Sequence, residues 1–304
     1  DDMDQSGREF GAIVLDSHPN IQVRIFNPFS RKTPRLMQLL TRFGDVTRRM
    51  HNKTLTVDQR IAVLGGRNIG DEYFDASEGT NFTDLDALVI GPVVKQISTS
   101  FDAYWNDRLS YPINILSNQD VSEDTARKTL TDFEHLVKEK TDIRYVEALK
   151  KSQFAIQFNT QSLPFDYTDI QAIFDEPEKF GSDDLKYHLA SDLAGSFKNV
   201  RSSLIIISPY FVPGKEGTLF LSDLARNGIR VKVLTNSLSS TDVAVVHAGY
   251  IKYRKDLLKA GVEIHEVQSN SLKPHVGNWN GSSSASLHSK AFIFDDEEVF
   301  VGSL

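Results

Sequence analysis

One pattern occurs twice in this chain of 304 residues: His51-x-Lys53-x4-Asp58 and His288-x-Lys290-x4-Asp295. In each copy six residues follow the aspartate and a glycine comes next, giving Gly65-Gly66-Arg67-Asn68 and Gly302-Ser303-Leu304. An apolar, strand-like segment precedes each copy: the one containing Val23 lies 28 residues before His51, and the one beginning at Val262 lies 26 before His288. Three fixed residues at a set spacing arise by accident in roughly 2% of chains this long. Two copies with the same glycine offset mark an internal repeat, and so two related supersecondary units. A strand turns alternate side chains to one face, so His51 and Lys53 are expected to point the same way, as are His288 and Lys290.

The rest of the chain reads as alternating strands and helices. Ile21–Phe26, two strands within Met50–Leu64 turning at Asp58-Gln59-Arg60, and Leu85–Ile90 are strand-like, with a helix near residues 94–109. Residues 117–151 are polar and helix-prone and read as a connector. Beyond them come a helix at Asp183–Lys198, a strand at Leu204–Ser208, a helix at Leu219–Asn227 stopped by Gly228 and a strand at Ile229–Leu234. A helix at Asp242–Ala260 stopped by Gly261 follows, then strands at Val262–Val267 and Leu287–Phe294. Strand-helix alternation with glycine at helix ends indicates layered α/β architecture. The expected domains are residues 1–160, including the helical connector, and 161–304. In the second repeat 84 residues separate Leu204 from His288, while only 50 precede His51, so the chain is expected to be a fragment, incomplete at both ends.

Composition narrows the function. With no cysteine, disulfides, thiol nucleophiles and thiolate-ligated zinc are excluded. A net charge of -7 speaks against a protein built to grip nucleic acid. No apolar run approaches the ~20 residues of a membrane-spanning helix. Of the other histidines, His18, His135, His188, His265 and His275 are expected at the surface or internally satisfied. The Gly277-Asn278-Trp279-Asn280 stretch is expected to be a surface loop.

The duplicated motif resembles the phospholipase D superfamily. The resemblance covers nearly the whole chain and implies two similar α/β domains, each a mixed sheet flanked by helices. It implies further that they form a pseudo-twofold pair in which both His-Lys pairs meet. Such a site suits a phosphodiester. A neutral imidazole attacks phosphorus and forms a covalent phosphohistidine, and a protonated imidazole donates to the leaving alcohol. Histidine suits both roles, because it titrates near ~6.5. Lys53 and Lys290 hold the non-bridging oxygens, so no metal and no cofactor is expected. Asn68, Gly66, Arg67, Ser303 and Tyr210 are the expected substrate contacts. The attacking imidazole needs its other nitrogen oriented by an acceptor. Asp84 is the candidate for His51, favoured over Asp86 by the resemblance, and the acid partner of His288 is expected beyond residue 304. The resemblance makes His51 the nucleophile, His288 the acid, and Asp58 and Asp295 structural.

A narrower group is indicated by Arg48-Arg49-Met50-His51-Asn52-Lys53 and by Gly65 through Phe74. Ser208-Pro209-Tyr210-Phe211-Val212-Pro213-Gly214, Leu234-Thr235-Asn236-Ser237 and Val246-His247-Ala248-Gly249-Tyr250 point the same way. All are similar to bacterial cardiolipin synthases of the C type. That likeness implies phosphatidyl transfer to phosphatidylglycerol, with phospholipids as substrates and phosphatidylethanolamine as an implied donor. It implies peripheral or anchored contact with the bacterial inner membrane, no nucleic acid, and no protein partner that the sequence reveals. A hydrolase or a nuclease of the same superfamily would share the motif.

Overall fold

The computed structural model describes residues 8–28, 50–74, 81–116, 122–140, 143–180, 187–268 and 285–303. Among these the strands are β1 Arg24–Phe26, β2 Thr54–Val57, β3 Ile61–Gly65, β4 Asn81–Thr83, β5 Asp86–Ile90 and β6 Ser110–Pro112. They continue with β7 Ser203–Ile207, β8 Arg230–Asn236, β9 Glu263–Val267, β10 Ala285–Leu287, β11 Ala291–Phe294 and β12 Glu298–Val301. Two compact units result, Asp1–Met50 with Thr99–His188, and His51–Ser98 with Leu189–Leu304. Packing therefore groups the chain differently from sequence repetition, and both motifs fall in the second unit.

In the first unit β1 pairs antiparallel with β6, Ile25 facing Tyr111. Ile13 from the helix Arg8–Asp16 packs with Ile25 and Ile113, and the Phe26 and Tyr104 rings meet edge-on at 5.1 Å. The polar connector is helical, as Glu123–Lys140 and Ile143–Lys151. The helix Gln153–Asn159 follows and starts on Ser152, whose hydroxyl accepts the Ala155 N–H.

The second unit is built on a mixed sheet of order β12-β11-β7-β8-β9. The strands β7, β8 and β9 run parallel, and β11 and β12 antiparallel. Leu204-Ile205-Ile206-Ile207 is apolar and mostly β-branched, which suits a strand covered on both faces. Parallel neighbours need crossovers, supplied by the helices Gly214–Arg226 and Ala244–Ala260. These bury Leu221 and Leu257 against Leu204, Ile206, Val231 and Val233. Gly261 ends the second helix at φ 98°, a left-handed cap that suits glycine. The strands β2, β3 and β5 form a separate antiparallel sheet. A third pairing is parallel and joins β4 to β10, with Asn81 facing Ala285 and Thr83 facing Leu287.

The repeat is visible in two hairpins. Each closes a three-residue loop, Val57 facing Ile61 in one and Phe294 facing Glu298 in the other. Asp58 and Gln59 adopt φ 50° and 54°, and Asp295 and Asp296 φ 56° and 60°. Two successive left-handed residues match the twist of a hairpin, and aspartate tolerates that conformation better than most residues. Asp295 also reaches back to the start of β7: its carboxylate accepts the backbone N–H groups of Arg201, Ser202 and Ser203 and the Ser202 hydroxyl. These donors, Ser203 foremost, hold its pKa down to about 2.

The expected single strand Leu287–Phe294 is instead two, β10 and β11, with His288-Ser289-Lys290 between them. The chain changes sheets there. The His288 and Ser289 N–H groups both donate to the Thr83 carbonyl (2.8 and 3.1 Å), while Gly302 N–H donates to the Lys290 carbonyl at 3.2 Å. His51 and Lys53 likewise precede β2 rather than lie within it. Among the described residues no helix is long and apolar enough to cross a membrane. His275 and the Gly277–Asn280 stretch lie outside the described residues.

Candidate functional site

All the residues of both motifs belong to the second unit. The ladder of β4 with β10 ends on Thr83 opposite Leu287, so the next residues, Asp84 and His288, stand side by side. His288 is buried, 6% exposed, and its Nδ1 lies 2.7 Å from Asp84 Oδ2, on a side chain with no exposure at all. Asp84 Oδ1 accepts the Leu85 N–H at 2.9 Å. The expectation that Asp84 orients His51 is therefore corrected: its partner is His288, because strand register decides the pairing. Asn236, at the end of β8, holds this segment from the other side. Its side-chain amide donates to the Leu287 carbonyl at 2.9 Å and its Oδ1 accepts the Leu287 N–H at 3.0 Å.

His51 is exposed, and its Nδ1 lies 2.6 Å from Ser303 Oγ. The contacts are thus exchanged: residues following the first motif hold the second histidine, and a residue following the second motif meets the first. The lysines repeat each other's geometry. Lys53 Nζ donates to the His51 carbonyl at 2.8 Å, and Lys290 Nζ to the His288 carbonyl at 3.0 Å. Lys290 Nζ is 3.5 and 3.4 Å from the two His288 ring nitrogens, and so is aimed at neither. Burial, and after it the charge of Lys290, brings the Lys53 ammonium down to about 8, against the opposing pull of Asp84. Burial also lowers Lys290, with Asp84 and Asp242 pulling the other way. Two half-desolvated ammonium groups in each other's field favour an anion between them.

The flanking residues frame this centre. A Cβ on Gly66 would fall 2.5 Å from Asp84 Oδ1, so the absence of a side chain there lets Asp84 take its place. Arg67, expected at the substrate, directs Nε to Asp86 Oδ2 at 2.6 Å and Nη1 to the Tyr73 carbonyl, and lies over the Phe74 ring. Asn68, expected likewise, donates to the Tyr73 hydroxyl at 2.7 Å. Both brace the turn that carries Tyr73. Tyr210 stands edge-on to His288 with ring centres 6.3 Å apart, and its hydroxyl donates to Asp242. His247 is buried against Tyr250, rings 5.5 Å apart.

Three residues of the site were not singled out from sequence. The Tyr73 and Phe82 rings lie 5.2 and 5.3 Å from that of His288, and Asp242 holds Tyr210. Phe82 had a signal: it sits two residues before Asp84, on the same strand face by alternation. Tyr73 and Asp242 reach the site through a turn and a loop, which carry no periodicity.

Comparison with known proteins gives three likenesses. Residues 193–304 match the family described as cardiolipin synthase, PLD-like domain. The whole chain is 39% identical over 310 residues to cardiolipin synthase C of Escherichia coli strain K12 and covers 64% of it. It is 33% identical over 293 residues, 96% of this chain, to an uncharacterized protein of Helicobacter pylori strain 26695, covering 58% of that protein. The chain thus spans about three-fifths of the length of these relatives. Among solved structures, phosphatidylserine synthase of Haemophilus influenzae superposes with a TM-score of 0.45 at 14% identity, over 81% of this chain and 52% of that one.

Proposed function

We propose that the chain belongs to the phospholipase D superfamily, a reading supported by its likeness to cardiolipin synthases, and that it carries the catalytic centre of a phosphatidyltransferase that makes cardiolipin from phosphatidylglycerol and a second phospholipid. The observation that carries the reading is the exchange of contacts between the motifs: Asp84 with His288, Ser303 with His51, and two lysines sharing one field.

In the first step the His51 imidazole attacks phosphorus of the donor. A P–N bond forms, the P–O bond to the headgroup breaks, and His288 gives the leaving oxygen its proton. Asp84 suits His288 to this role by stabilising the imidazolium before transfer and holding the ring in one orientation. In the second step the acceptor hydroxyl returns a proton to His288, its oxygen attacks phosphorus, and the P–N bond breaks. Lys53 and Lys290 offset the charge gathering on the non-bridging oxygens, the task a divalent metal performs in other phosphodiesterases. The protein would work at the bacterial inner membrane on phospholipids, without nucleic acid.

The test is mass spectrometry of lipids from cells expressing the complete gene, wild type beside His51→Ala. Cardiolipin above background should appear with the wild type alone. Equal cardiolipin in both would return the reading to a hydrolase or nuclease.

A further inference from the structure

Asp242 belongs to neither motif, yet it stands at the site. The Tyr210 hydroxyl lies 3.0 Å from its Oδ1 and 2.8 Å from its Oδ2, and the Tyr210 ring stands edge-on to that of His288. Burial, and then the bond to Asp242, raises the Tyr210 hydroxyl well above an ordinary phenol, so it stays a donor and Asp242 the acceptor. Asp242 is exposed, and among the described residues no cation is ion-paired with it. Its charge is felt by Lys290 and by Tyr73.

A carboxylate whose charge reaches Lys290 would repel the phosphoryl group that the lysines gather. It must therefore meet another part of a ligand. A cationic partner would be pushed back by Lys53 and Lys290, whereas an uncharged hydroxyl donates to a carboxylate without that penalty. The Tyr210 hydroxyl spans both carboxylate oxygens, and the outer lone pair of either oxygen can still accept from one hydroxyl of a ligand. We propose that Asp242, held by Tyr210, accepts the hydroxyl next to the reacting one, at the glycerol end of the acceptor alcohol. This deepens the phosphatidyl-transfer reading and rests on it. Asp242 selects and positions the acceptor, and leaves the formation of the phosphohistidine to the two motifs.

The experiment offers the complete gene product one phospholipid donor with glycerol, 1-propanol or ethanolamine as acceptor, and measures each phosphatidyl product beside hydrolysis. Asp242→Asn should lower transfer to glycerol about ten- to a hundredfold, the range for a hydrogen bond to a charged group. Transfer to 1-propanol, which has the same primary hydroxyl and no neighbour, should change less than about threefold. Tyr210→Phe, which loses the anchor and keeps the ring, should show the same preference in weaker form. Equal losses with glycerol and 1-propanol, or none with glycerol, overturn the proposal. A loss confined to ethanolamine overturns the hydroxyl assignment in favour of an ammonium. Wild-type protein that hydrolyses the donor and transfers to no alcohol overturns the function proposed above, and this subsite with it.

Discussion

Asp84 and His288 are 204 residues apart in the chain and 2.7 Å apart in space. Asp84→Asn keeps the size of the side chain and removes the charge that steadies the imidazolium. It should lower phosphatidyl transfer by about 10–100-fold, as measured on lipid vesicles, with the unfolding midpoint close to wild type. Lys53 makes a pH prediction. With its ammonium lowered to about 8, the cation is present below that pH and is lost as pH rises through it. The value of kcat/KM should therefore fall on the alkaline side near pH 8. In Lys53→Arg, whose side chain stays charged, that limb should move up by at least a unit. The motif residues were legible in the sequence because their spacing repeats. Their partners were not, because the meeting of Asp84 with His288 depends on how β4 registers against β10, and no local spacing records that.

Elements carried more of the sequence signal than side-chain contacts did. The β-branched run at Leu204–Ile207, the glycine stop at Gly261 and the hairpin turning at Asp58–Arg60 all stand where alternation and turn residues indicated. The interruption at His288–Lys290 was hidden because the run from Leu287 to Phe294 is continuous in pattern while its hydrogen bonds go to two different sheets. Leu204 has no exposure, and Leu204→Ala should cost about 2–5 kcal/mol in urea unfolding. Asn236→Ala should cost about 1–3 kcal/mol, since it strands a buried N–H and C=O of Leu287. It should also depress turnover by loosening the residue before His288.

At the scale of the molecule, the second unit is discontinuous in sequence, because residues 51–98 pack with 189–304. Residues 161–304 expressed alone would keep β7, β8 and β9 but lose β4. Hydrogen exchange should then find the β7–β8 amides still protected and those of His288 and Ser289 fast, since their acceptor is the Thr83 carbonyl. Recovery of protection at His288 on adding residues 1–160 would trace it to that strand, and unchanged protection in its absence would contradict the pairing. The crossing of Asp84 to the far histidine also constrains heredity. A duplicated gene usually frees one copy to wander, but here each repeat keeps the other's imidazole in working order. Damage to either is felt in both, and the halves must be inherited and changed together.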